Sequence, residues 1–201
     1  MTVTTTNDTT NVIVLQMSPA IDLSEDNFFN FCQLNSHLRI ERTSTGELII
    51  MSPAGSETGN RNFKLIQQLA NWTDKDGTGI GFDSSAGFIL PNGATRSPDA
   101  SWIELSKWNA LSDAQKAKFA PLCPDFVVEI RSPSDSLKSL KDKMQEYIDN
   151  GVKLGWLIEP KTKIVEIYRR GKSPEVLKNP KSISGESTLP GFILDVSKIL
   201  S

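Results

Sequence analysis

Hydrophobic and polar positions alternate along this chain with two distinct periods, and the switch between them predicts the elements. Ser24 to Cys32 predicts a short helix, with Ser24 as N-cap and Glu25 and Asp26 in its first turn. Leu38–Glu41 and Glu47–Met51 predict two strands joined through the turn signal Ser44-Thr45-Gly46. After the break at Ser52-Pro53-Ala54-Gly55, Ser56 is placed to cap a helix running to about Trp72. Phe63, Ile66, Leu69 and Ala70 would form its buried stripe. Strand-like Phe82 and Phe88-Ile89-Leu90 follow among glycines, then a strand over Arg96–Ile103 and a polar helical excursion from Glu104 to Leu122.

Phe126–Ile130 is a nearly continuous apolar run, as expected of a strand covered on both faces. Ser132-Pro133-Ser134 stops it, and Asp135 or Ser136 begins a helix that leaves at Asn150-Gly151. Its apolar stripe is Leu137, Leu140, Met144 and Ile148. Leu154–Ile158 predicts another buried strand, and Ile164–Tyr168 with Glu175–Leu177 a hairpin. Pro190-Gly191-Phe192 leads into a short terminal element. Strands interleaved with helices in this order predict an α/β fold with a mixed central sheet flanked by helices. Residues 1–11, rich in Thr and Asn, read as a disordered tail, and residues 12–201 as a single domain.

Composition narrows the classes. The chain is 38% hydrophobic and 23% charged, ordinary for a globular protein, and no apolar run approaches the roughly 18–20 residues of a membrane span. No secretory signal pattern is visible, and Cys32 and Cys123 lack metal-type spacing, so free thiols in a reducing cytoplasm are expected. His37 is the single histidine, which excludes a Ser-His-Asp triad and multi-histidine metal sites. The glycines between Gly77 and Gly87 form no phosphate-loop fingerprint. Charge is unevenly placed. Residues 131–181 hold twelve Lys/Arg against seven Asp/Glu, a net of +5 within a chain whose total is −2. That is either a solvated helical face or a surface that attracts phosphate.

Candidate chemistry gathers at Ser97-Pro98-Asp99, at Pro124-Asp125-Phe126-Val127-Val128-Glu129-Ile130-Arg131 and at Lys143. Asp125 and Glu129 lie in one strand roughly 13 Å apart, too far to share one cation. Asp125 is therefore read as a strand-entry residue. Asp99 belongs to a different strand, and adjacent strands approach to about 4.8 Å, so Asp99 and Glu129 can meet over one metal ion if those strands pair. A glutamate within a buried strand is costly unless paired or metal-bound. Glu129 and Arg131 are two apart and share a face. Lys141 and Lys143 flank the two edges of the helical stripe, and geometry does not choose between them. Trp72, Trp102 and Trp156 fall within or at the ends of apolar elements and read as core or interface residues.

These motifs resemble the PD-(D/E)XK nuclease superfamily and, within it, the Uma-two family of proposed bacterial restriction endonucleases. The resemblance is carried by Gly46-Glu47-Leu48-Ile49-Ile50-Met51-Ser52-Pro53, Glu57-Thr58-Gly59, Ser97-Pro98-Asp99-Ala100, Pro124 to Glu129 with Ser132-Pro133-Ser134, Lys143-Met144-Gln145-Glu146-Tyr147, Gly151-Val152 with Trp156-Leu157-Ile158, and Pro190-Gly191-Phe192. It implies a restriction-endonuclease-like core and an endonuclease that hydrolyses DNA phosphodiester bonds with Mg2+, or Mn2+ in its place. Asp99 and Glu129 would be metal ligands, and Glu57 in the first long helix an accessory one. Arg131 stands where the superfamily has lysine. Arginine keeps its charge and cannot take a proton from water, yet it can hold a phosphate. The resemblance gives the missing lysine role to Lys143. It also implies a homodimer, since cutting two strands suits two-fold symmetry. The alternative is a catalytically inactive nuclease-fold protein that binds nucleic acid or a protein partner.

Overall fold

The structure, a computed structural model, describes residues 3–4, 12–18 and 20–201. Strands β1 (Val3–Thr4) and β2 (Val12–Leu15) precede helix α1 (Glu25–Leu34), which Ser24 caps as expected by accepting from the Asn27 amide. The β3 (Arg39–Arg42) and β4 (Leu48–Met51) hairpin leads to α2 (Ser56–Asp76). Then come β5 (Gly79–Asp83), β6 (Phe88–Ile89), β7 (Thr95–Arg96) and β8 (Ala100–Glu104), followed by short helices α3 (Leu105–Asn109) and α4 (Asp113–Lys116). β9 (Phe126–Ile130), α5 (Leu137–Asp149) and β10 (Leu154–Glu159) form a crossover unit. β11 (Ile164–Arg169), β12 (Glu175–Lys178), β13 (Ser182–Ser184), β14 (Ile193–Asp195) and α6 (Ser197–Leu200) complete the chain. The tail expected over residues 1–11 lies outside the described residues, apart from Val3–Thr4, which pair with Val14 and Leu15.

The elements build two sheets of six strands and a small hairpin of β13 with β14. The central sheet runs β12-β11-β10-β9-β8-β5 and is mixed. β9 and β10 are parallel, joined over the face by α5, while the other neighbours are antiparallel. The second sheet runs β1-β2-β4-β3-β7-β6. It was not distinguished in the sequence, because the run from Arg96 to Ile103 reads as one strand. The chain instead divides it at Ser97-Pro98-Asp99, leaving β7 in one sheet and β8 in the other. Pro98 has no amide proton to give to a ladder, so the break falls there.

Alternation in β9 decides what each layer receives. Phe126, Val128 and Ile130 point into the core beneath α2 and α6, where they meet Leu65, Leu69, Trp102 and Trp156. Val127 points to the other face, into the layer of Met144, Tyr147 and Ile148 from α5. Glu129, two residues on, shares that α5 face. The predicted stripe of α5 holds: Met144 and Ile148 are buried, and Leu137 and Leu140 pack at its margin.

α2 differs from its prediction in three respects. Its N-cap is Gly55, not Ser56, and it runs on to Asp76, where Gly77 takes the left-handed conformation (φ 68°) that ends it. Its buried side is centred on Leu65 and Leu69, whereas Phe63 is 66% exposed. The face toward the sheet is thus rotated away from Phe63, and Asn62 moves onto it.

Candidate active site

Register brings the two predicted acids together. Ala100 pairs with Val128 across the antiparallel β8–β9 ladder, so one step further Asp99 stands opposite Glu129. The amide of Ile130 donates to Asp99 Oδ2 at 2.8 Å, which locks the junction between the sheets to the end of β9. Both acids are buried, at 8% and 5% exposure.

Lys143 reaches them from α5. Its Nζ lies 2.8 Å from Glu129 Oε1 and 2.9 Å from Glu41 Oε1. The Tyr147 hydroxyl, one turn on, donates to Glu129 Oε1 at 3.0 Å, and the Lys143 ammonium sits 5.8 Å from the centre of the Tyr147 ring. Lys141, the other edge of the stripe, pairs instead with Glu166 on β11. The structure therefore separates the two lysines that spacing alone left equal.

Glu41, from β3 of the second sheet, is a site residue that the sequence reading missed. It accepts from the Ser97 amide at 3.0 Å and pairs with Arg96 at 3.2 Å, while Arg96 Nε donates to Glu146 of α5 at 2.6 Å. Arg39, also on β3, sits 3.6 Å from Asp99 Oδ1 and donates to the Ser97 carbonyl at 3.1 Å. Asn62 of α2 donates to Asp99 Oδ1 at 3.2 Å. A signal for the β3 pair existed: Ile40 alternates with them and packs on Phe28 and Leu48, so Arg39 and Glu41 must share the opposite face.

Electrostatics follow from this packing. Burial pushes the Glu129 carboxyl up to about 7; Lys143 opposes the rise, and Asp99 and Glu41 add to it. Glu41 has the opposite outcome. Burial again acts upward, but Lys143 and Arg96 together bring its carboxyl below the ordinary range. Burial pulls the Lys143 ammonium down, yet Glu129 and Glu41 hold it above its usual value. The same surroundings raise the Tyr147 phenol through burial and through Glu129. Lys143 is a fixed cation between two carboxylates, and Tyr147 a fixed donor.

Two expected residues are not brought into this group. Arg131 lies on the Glu129 face, but its guanidinium turns sideways along the sheet. It pairs with Glu159 of β10 and donates to the Asp135 carbonyl at 3.1 Å. Glu57 has 74% of its side chain exposed and pairs with Arg61, 2.7 Å away on the same helix. Asp125, set aside as a ligand, is fully buried at the opposite end of β9, with Lys107 at 2.7 Å and Lys153 at 3.0 Å. The exposed His37 and the free Cys32 and Cys123 take no part. Trp102 and Trp156 are core, and Trp72 is partly buried and packs against it.

The donor set suits a hard cation of small protein coordination number. Among the described residues no three His, Cys, Asp or Glu side chains converge as a metal cage. Two carboxylates stand opposite each other, and beside Asp99 the carboxamide oxygen of Asn62 is buried with no hydrogen-bond partner. Such an orphaned oxygen is costly unless something satisfies it. Magnesium takes oxygen ligands, needs few from protein and keeps several waters, so Asp99 and Glu129, with Asn62 at hand, fit it.

The profile of the Uma2 family, described as "Putative restriction endonuclease", matches residues 26–197. The crystal structure of a protein described as "a putative nuclease belonging to DUF820" from Anabaena variabilis ATCC 29413 superimposes with a TM-score of 0.71. The two share 17% identity, over 89% of this chain and 98% of that one. At that identity the likeness establishes the fold, which is restriction-endonuclease-like. No curated protein matches the chain. Among the described residues no helix is long and apolar enough to cross a membrane.

Proposed function

The chain belongs to the Uma2 family, and from that membership and the site's geometry we propose that it is a metal-dependent endonuclease hydrolysing DNA phosphodiester bonds. Family and fold are nuclease-like; the metal, the DNA substrate and the residue roles are the proposal. The observation that carries it is Lys143, buried between Glu129 and Glu41 with Asp99 opposite in register. Buried carboxylates are costly until paired, and here Asp99 and Glu129 come to one end of β9 with a buried ammonium between Glu129 and Glu41, the grouping that a metal and a phosphate would use.

Bound magnesium would lower the pKa of a water and neutralise charge growing on the phosphate. Asp99 and Glu129 would hold it. Asp99 is positioned by the Ile130 amide and Asn62, and Glu129 by Tyr147 and Lys143. Lys143 stays protonated, so it does not remove a proton from water. It orients the attacking water by donation and steadies negative charge at the phosphorus centre. Glu41 holds that ammonium in place. Two copies, one per strand, suit double-strand cutting, so a homodimer is part of the proposal.

The test is incubation of duplex DNA and of a small aryl phosphodiester with the protein, in magnesium and in EDTA. The expected result is DNA cleavage in magnesium only, with manganese a substitute. DNA binding without cleavage would replace the enzyme by a catalytically silent nucleic-acid binder. Preference for the small ester would remove DNA as substrate.

A further inference from the structure

We propose that Arg39, delivered by the second sheet, is the residue that grips the scissile phosphate; the inference rests on the nuclease reading above. A phosphate approaching Asp99, Glu129 and Glu41 meets three carboxylates and needs a cation with donors to spare. Four cations stand near enough to consider. Lys143 gives two of its three donors to carboxylates at 2.8 and 2.9 Å, keeps the third for the attacking water, and is 13% exposed. Arg96 is 9% exposed and held between Glu41 and Glu146. Arg131 is fastened to Glu159 and to the Asp135 carbonyl. Arg39 differs from all three. Its side chain is 34% exposed, and its nearest carboxylate, Asp99, stands 3.6 Å away, beyond hydrogen-bond length.

Its donors are also incompletely used. Nη2 gives one hydrogen bond, to the Ser97 carbonyl, which anchors the guanidinium beside Asp99. Nε is buried with no hydrogen-bond partner. A guanidinium has five donors in a planar fork that matches two phosphate oxygens, so an anchored and under-used fork beside a metal-ligating acid is built for that contact. The arrangement also explains why the family-pattern position at Arg131 can be tied up internally without leaving the substrate unheld. Phosphate recognition passes from the central sheet to β3 of the second sheet, whose alternation puts Arg39 and Glu41 on one face.

The experiment measures affinity of the full chain for a short duplex DNA across a series of salt concentrations. Calcium replaces magnesium as the hard cation, so that binding is read directly. Arg39→Gln is expected to weaken binding at least tenfold and to reduce the slope of log affinity against log salt by about one, the loss of one phosphate contact. Arg39→Lys is expected to keep the slope, since the charge remains, while binding more weakly than wild type because the fork is lost. If the glutamine variant does not fold, the lysine variant alone decides, and wild-type affinity in it overturns the proposal. Wild-type slope and affinity in a folded Arg39→Gln overturn it too, as does a slope change in Arg131→Gln with none in Arg39→Gln. Wild-type protein that shows no salt-dependent DNA binding overturns both this inference and the nuclease reading. Binding and cleavage that are indifferent to Arg39 overturn the inference alone.

Discussion

At Glu129 a carboxylate sits almost wholly out of water, with its carboxyl pushed up to about 7. Between its unfolded value of 4.5 and about 7 the folded chain holds a proton there that the unfolded chain has lost. Stability from this group is therefore full below about pH 4.5 and is lost as pH rises toward 7. For metal-free protein, the stability of wild type relative to Glu129→Gln should fall across that window by up to roughly 3 kcal/mol. Denaturant melts in EDTA at several pH values check this, and a difference that stays flat with pH contradicts it. Tyr147 offers a second test at the same scale. Its hydroxyl donates to the Glu129 carboxylate, and a hydrogen bond to a charged group contributes about 1.5–3 kcal/mol. Tyr147→Phe should lower stability by about that amount at pH 8, and by less at pH 5, where Glu129 is protonated.

Among the elements, α2 shows how a local reading can be turned by tertiary packing. Leu65 is fully buried against the central sheet, so Leu65→Ala should cost about 2–5 kcal/mol in a chemical denaturation curve. Phe63→Ser, on the side expected to be buried, should change stability by no more than about 0.5 kcal/mol. The reverse order would restore the original stripe. Phe63 drew that stripe because a large aromatic on a helix normally marks the core; here the sheet meets the adjacent face. The same rotation carried Asn62 to Asp99, a contact that no helical period centred on Phe63 could indicate. β9 and α5 were legible for the opposite reason. Each has a buried face defined by its own sequence, so Glu129 and Lys143 could be placed from alternation and helical spacing together with the family motif. Arg131 shared the predicted face, but spacing cannot say that Glu159 on the neighbouring strand would draw its guanidinium aside.

On the scale of the whole molecule, the site is where two sheets and one helix are fastened together. Asp99 lies at the crossover between the sheets, Glu41 comes from the second sheet, and Arg96 ties Glu41 to Glu146 of α5. Arg96→Met would leave Glu41 with a single cationic partner, and Glu146 would lose its ion pair. Losing one member of a buried charge group costs about 3–5 kcal/mol, so the variant should melt well below wild type. A melting point unchanged from wild type would show that the sheets are held elsewhere. The β3–β4 hairpin was legible in the sequence, but the second sheet was not: the pairing of β3 with β7, which sets Arg39 and Glu41 beside Asp99, appears only once Pro98 divides the long run into two.

The most direct test of the central claim is the single-turnover rate of DNA cleavage in magnesium by wild type, Glu129→Gln and Lys143→Met, each first shown to be folded. The account predicts a loss of at least about 100-fold in both variants, as for removal of a group that stabilises charge only as the reaction proceeds. Cleavage by either folded variant at the wild-type rate would contradict it.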